Sequence, residues 1–302
     1  MQTRPLIGLN ALDALVAERD LILVTGKGGT GKSTLVAALA ELAARRRGGA
    51  VAVEISAHPR LAEMIRPQSG VRALNLEVEQ VVGPALSRLL SLPAVVGAVL
   101  NNRILRLFVR TSPAMREMIL LDEIQDLVAR TTRQRQPVIV DLPASGHALS
   151  FLDTPRSVYR MLRVGPLAQV ARRVEELLLD RKRTELVVVA IPEELPVNET
   201  IELVQRSMDI GLVSRTIVVN QVPALALDAD DRPLLDALHQ HDDSALGRFA
   251  STAARELDGV ELARAQISRL KRAVGDAIIE LPLSQITDPR ARVGAILQAL
   301  SA

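Results

Sequence analysis

Residues 21–34 read LILVTGKGGTGKST, a strand-forming run that breaks into glycines and then into a helix-forming stretch continuing to Arg47. A phosphate chain is held by many backbone N–H groups aimed at one point. Such a concavity needs backbone without Cβ atoms, which Gly26, Gly28, Gly29 and Gly31 supply. The positive end of the following helix completes the cradle. In this spacing, GxxxxGK[ST] between a strand and a helix, Lys32 reaches the β and γ phosphates and the Ser33 hydroxyl ligates Mg²⁺. The stretch therefore predicts a nucleotide phosphate site made by Gly26, Lys27, Gly28, Gly29, Thr30, Gly31, Lys32, Ser33 and Thr34.

Lys27 sits inside the loop itself, where its charge serves either phosphate or solvent. Of the 37 basic residues only four are lysine, and two of those four lie in this loop. A chain that otherwise uses arginine has placed a compact ammonium where a point charge suits phosphate. The string GKGGTGK resembles the deviant Walker A loop of the MinD, ParA and ArsA group. In that group the extra lysine reaches across a dimer interface to the partner's nucleotide, so the resemblance implies a homodimer, or a heterodimer with a paralogue.

With 302 residues, 48% of them hydrophobic, the chain can bury a full α/β core without staples. It has no cysteine, which excludes disulfides and thiolate metal clips. The net charge of +2 is near balance, and a single tyrosine, three phenylalanines and no tryptophan leave no platform for stacking bases, so no nucleic-acid partner is expected. The first twenty residues lack the apolar core of a signal peptide and read as a short amphipathic helix. The most apolar stretch, residues 89–100, contains Pro93 and Gly97 and is shorter than the roughly twenty residues a bilayer needs. The expectation is a protein without a stable membrane span, cytoplasmic in location.

Short β-branched runs recur at residues 21–25, 50–55, 137–141, 186–191, 215–220 and 277–281, separated by helical patterns. This alternation predicts an α/β fold with a doubly wound, mostly parallel sheet and ligands at the strand C-termini; with the glycine loop of residues 26–34 the expected fold is a P-loop NTPase. Arg45, Arg46 and Arg47 before Gly48 mark a helix C-terminus. Pro166 opens a helix with Leu167, Val170, Val174 and Leu177 on one face. Residues 1–302 read as one domain, with a mostly helical subdomain at about 61–136 inserted between the second and third runs. There Ser112 and Pro113 read as cap and first position of a helix whose apolar face is Ala114, Met118, Leu121, Ile124 and Val128. Residues 89–109 are more apolar than a surface helix needs, and read either as a layer packed on the sheet or as a groove for an apolar partner segment.

Asp141 ends the run PVIVD, and a carboxylate at the tip of a buried strand beside such a loop is the expected partner of Mg²⁺, directly or through water. It begins DLPASGHAL, which resembles the DTAPTGHTL switch II of the ArsA and tail-anchored protein targeting ATPases, matching at Asp141, Gly146 and His147. VVVAIPEELPVNETIELVQ and RTIVVNQVP resemble further stretches of that family, over roughly residues 16–300. By that resemblance Pro192 and Asn220 contact adenine, and ATP is the nucleotide.

Two departures from the family matter. The absence of cysteine removes its arsenite site and its zinc clasp. At switch I, where the family carries DPAH with an aspartate that orients the attacking water, this chain reads VEISAHPRL. Ser56 occupies the aspartate's place and Glu54 lies two residues earlier. A serine hydroxyl can hold a water but cannot take its proton, and losing such a contact costs about 10²- to 10³-fold in rate. Lys27, Lys32, Glu54, Ser56 and Asp141 are the candidate catalytic residues. The expected function is an ArsA-like ATPase that binds ATP and Mg²⁺ at a dimer interface and switches a helical client- or partner-binding subdomain, an apolar protein segment being the client the resemblance implies. Two alternatives stand beside it: a hydrolysis-impaired subunit paired with an active paralogue, and a membrane-cycling positioning ATPase. For the last, the stripe Val293, Ile296 and Leu300 near the C-terminus reads better as a helix docked on the sheet than as an anchor.

Overall fold

The computed structural model describes residues 9–89, 112–212, 216–224, 229–239, 245–275 and 278–301. The apolar run from residue 90 to 109 lies outside the described residues, as do residues 1–8. In chain order the elements are α1 (Leu9–Glu18), β1 (Leu21–Gly26), α2 (Lys32–Arg47), β2 (Ala50–Glu54), α3 (Leu61–Met64), β3 (Val71–Asn75), α4 (Val78–Leu89) and α5 (Pro113–Thr132). There follow β4 (Val138–Asp141), α6 (Ser145–Leu162), α7 (Pro166–Leu179), β5 (Thr184–Ala190), α8 (Glu194–Asp209) and β6 (Thr216–Val222). A 3₁₀ turn (Ala229–Asp231), α9 (Arg232–His239), α10 (Ala245–Val274), β7 (Ile278–Pro282) and α11 (Pro289–Ser301) complete the chain.

The strands form one parallel sheet in the order β3-β2-β4-β1-β5-β6-β7. All six expected strands are present. The seventh, β3, was not expected: VRALN is half-exposed along its length, as suits an edge strand, and carries neither a continuous apolar run nor strict alternation. The interval read as mostly helical therefore holds, after the single turn of α3, a strand that extends the sheet beside β2.

β1, β2, β4 and β5 are buried at every residue because helices cover both faces. Period-two alternation sorts their side chains into two cores. Leu21, Leu23, Val51, Val53, Val138 and Val140 pack with α4 to α8, whereas Ile22, Val24, Ala50, Ala52 and Ile139 pack with α1, α2 and α11. The expected face of α5 is buried at Met118, Leu121, Ile124 and Val128, while Ala114 is exposed and Ser112 makes no side-chain cap. α7 starts at Pro166, with Val170, Val174 and Leu177 inward. Of the C-terminal stripe, Val293 and Leu300 of α11 are buried in the core shared with α2 and Ile296 is partly buried against it, with Leu297 the further buried residue, so this helix docks on the sheet. No helix among the described residues is long and apolar enough to cross a membrane.

α2 is unusual in being buried from Thr34 to Ala44 without a break, since the sheet lies on one side and α1 and α11 on the other. One charge is trapped there. Glu41 is 1% exposed, and its carboxylate accepts from the Arg66 backbone N–H at 2.8 Å and from Arg66 Nε at 2.7 Å. Arg66, 42% exposed at its side chain, brings the counter-charge in from solvent and anchors the segment after α3 to α2. Arg66→Ala strands that carboxylate, so it should lower the unfolding free energy by about 2–3 kcal/mol, less than a fully buried pair would lose because the guanidinium is partly solvated. Adding Glu41→Leu should recover part of the loss, as urea denaturation of the single and double variants would show.

Candidate functional site

The loop between β1 and α2 has the form its glycines predict, though they do different work. Gly26 has φ 148° and Gly31 φ 92°; a Cβ on the first would run into the Val189 carbonyl of β5, and on the second into the Asn220 side-chain amide. Gly29 has φ 86° with open space beside it, and Gly28 faces open space without a positive φ. Packing thus demands Gly26 and Gly31, conformation demands Gly29, and Gly28 leaves room on the open side of the loop.

Internal bonds hold the loop. The Lys27 carbonyl accepts from Thr30 Oγ1 at 2.9 Å, from the Thr30 backbone N–H at 3.4 Å and from Lys32 Nζ at 3.0 Å. Asn220 Nδ2, from the end of β6, donates to the Thr30 carbonyl at 2.9 Å, and Gln221 Nε2 reaches the Gly29 carbonyl at 3.5 Å. Asn220 was expected as a base contact; in the structure its side-chain nitrogen braces the loop. Pro192 lies two residues beyond the last residue of β5, at the same end of the sheet. α2 begins at Lys32 without a side-chain cap, so its first N–H groups face the loop concavity as an anion site.

Opposite that helix start stands Asp141. Its neighbours are fixed by register, since Asp141 pairs with Val24 on β1 and with Glu54 on β2. Ser33 Oγ donates to Asp141 Oδ2 at 2.5 Å, while Oδ1 is buried with no hydrogen-bond partner among the described residues. Burial raises the Asp141 carboxyl to about 6; the Ser33 bond and the Lys32 charge oppose that rise and the nearby Glu54 adds to it. Burial likewise lowers Lys32, against the pull of Asp141. An orphaned carboxylate oxygen, a hydroxyl on the same spot and few other acids fit Mg²⁺, which keeps most of its waters and takes one or two protein oxygens. No group of three or more His, Cys, Asp or Glu that could cage a metal occurs among the described residues.

The switch I candidates are engaged with their own loop. Glu54, 8% exposed, accepts from the backbone N–H groups of Arg60 at 2.8 Å and Leu61 at 2.9 Å, capping α3. Ser56 Oγ accepts from the His58 N–H at 3.0 Å, and the Ser56 N–H donates to Asn75 Oδ1 at 3.2 Å. Ser56 lines a cleft of about 430 Å³ between this loop, the start of α4 and α5. In the stretch that resembles switch II, His147 is exposed in the first turn of α6.

Sequence reading missed Glu199. Its Oε1 lies 2.7 Å from Lys27 Nζ, from a helix 172 residues further along the chain. The run PEELPVNET holds several acids and no spacing rule singles one out.

Asp141 makes the ligand-free protein pH-sensitive. Its folded pKa lies above the unfolded value, so the folded state binds the extra proton and stability falls as pH rises from about 4 to about 6. Asp141→Asn should remove that slope and raise ligand-free stability at pH 7, by on the order of 2–3 kcal/mol, in thermal or urea unfolding across that pH range.

Comparison with known proteins agrees with this geometry. Residues 5–152 match the family model of the AAA ATPase domain, and residues 164–252 match that of the anion-transporting ATPases. Among relatives, ATPase BagA of Mycobacterium tuberculosis (strain H37Rv) is 29% identical over 224 residues, 68% of this chain and 66% of that protein. A Mycobacterium bovis protein, Mb3704, also named as an ATPase, aligns with the same identity and coverage. The aligned region spans just under two thirds of these relatives' length. A glycine loop bridging β1 and α2, an acid at the tip of the neighbouring β4 and a parallel seven-stranded sheet with interleaved helices make this an α/β, P-loop NTPase-like fold, similar over the matched residues to two families of ATPases.

Proposed function

We propose that this chain binds ATP with Mg²⁺ in the loop of residues 26–34 and hydrolyses it, using nucleotide state to shift the layer built from about residues 61–136. The observation that carries the reading is the pair formed by Ser33 and the half-satisfied Asp141 across from the start of α2. Buried carboxylate, buried ammonium and uncapped helix N-terminus meet at one point, an arrangement costly for folding and useful for a bound triphosphate and its cation. Bound Mg²⁺ would neutralise charge developing on the β and γ oxygens. Ser33 and Asp141 would hold it, Asp141 as an anion because the cation favours its ionised form. Lys32 would leave the Lys27 carbonyl for the phosphates, and the loop N–H groups would bind the remaining oxygens. The ATPase names of the relatives and matched families support ATP as substrate. The likeness of GKGGTGK to the deviant Walker A group supports a dimer in which Lys27 serves the shared nucleotides, either two copies of this chain or this chain with a paralogue. An apolar protein segment is the client class that likeness supports.

A second reading has an observation of its own. Ser56 Oγ and Glu54 Oε2 both accept from backbone N–H groups of the loop that follows β2, so both candidates for orienting a water are tied into the loop's own fold. On that reading the chain binds nucleotide, turns it over poorly and pairs with an active paralogue. Phosphate release by the purified chain separates the two. Turnover that is abolished by Lys32→Ala and little changed by Ser56→Asp supports the ATPase; negligible turnover that rises about tenfold or more in Ser56→Asp supports the impaired subunit.

A further inference from the structure

We infer that Glu199 is a positioning residue that holds the Lys27 ammonium away from the phosphate site until nucleotide takes it. The inference rests on the reading of Lys27 as a phosphate ligand given above. Both loop ammoniums are parked on protein oxygens: Lys32 Nζ on the Lys27 carbonyl at 3.0 Å, and Lys27 Nζ on Glu199 Oε1 at 2.7 Å. The Lys27 carbonyl is pinned by Thr30 as well as by Lys32, so the ammonium can swing by side-chain rotation alone without moving the loop backbone. Gly28, next in the chain, has open space beside it and offers no obstacle to that swing.

The latch has a suitable strength. Lys27 and Glu199 are 36% and 41% exposed at their side chains, so water screens the pair and a triphosphate with several negative charges outcompetes one carboxylate. Deep burial would have made release prohibitive. The released carboxylate also has a place to go. Glu199 lines a groove with Gly146 and Leu149 of α6 and with Glu202, Leu203 and Arg206 of its own helix, beside the first turn of α6, where negative charge is favoured by the helix N-terminus. Glu202 is already paired with Arg206 there at 3.4 Å. The same acid thus touches the loop in one position and the start of the switch II helix in the other.

A double-mutant cycle on the full chain tests this by titration calorimetry with Mg-ATP at low salt, using Glu199→Gln, Lys27→Ala and their combination. Glu199→Gln should tighten binding by about two- to fivefold, the range expected of a part-exposed ion pair, and the gain should vanish when Lys27 is already alanine. Weaker binding in Glu199→Gln overturns the inference, as does an equal gain in the Lys27→Ala background, which would be plain charge repulsion from Glu199. Lys32→Ala separates the two levels. If it abolishes binding while Lys27→Ala changes nothing, the latch is wrong and the nucleotide site stands; if Lys32→Ala binds normally, the site itself is wrong.

Discussion

Parallel pairing of β1 between β4 and β5 is the constraint from which the rest follows. The register that sets Val24 opposite Asp141 and Gly26 opposite Val189 carries β1 two residues past the end of β4, so the glycine loop starts just beyond the Asp141 carboxylate. The same register brings Gly26 so close to the β5 backbone that no side chain fits. Slipping one residue would turn Asp141 to the other face of the sheet and break the Ser33 bond. With a core on each face, the two inward-facing sets of strand residues make that slip prohibitive.

Burial around the site opposes stability and serves binding. Asp141 and Lys32 are each displaced toward neutrality by loss of water, and each partly restores the other. A group whose charge is poorly compensated in the empty site has the most to gain from a ligand of the complementary charge. The Glu41–Arg66 pair is a contrasting case: its carboxylate is more deeply buried yet fully bonded, so it fixes α2 and carries no chemistry. Depth alone does not mark a functional acid; an oxygen left without a partner does.

Much of this was legible in the chain. The six expected strands are short apolar runs rich in β-branched residues, and Lys32, Ser33 and Asp141 come together as the loop spacing and the strand tip require. What escaped notice had weak local pattern. β3 is a half-exposed edge strand without periodicity, Glu199 is one acid among several, and the bonds that engage Glu54 and Ser56 depend on how residues 55–61 fold back on themselves.

By itself the sequence determined the class of fold and the phosphate loop, because strand runs, glycines and helix starts act within a few residues of one another and their physics is local. Only the tertiary structure decided what each site residue bonds to. The partner of Lys27 lies 172 residues away, Asn220 reaches the loop from β6, and Asp141 keeps one oxygen unsatisfied. Burial and long-range hydrogen bonding arise from the assembled sheet, and no spacing along the chain encodes them.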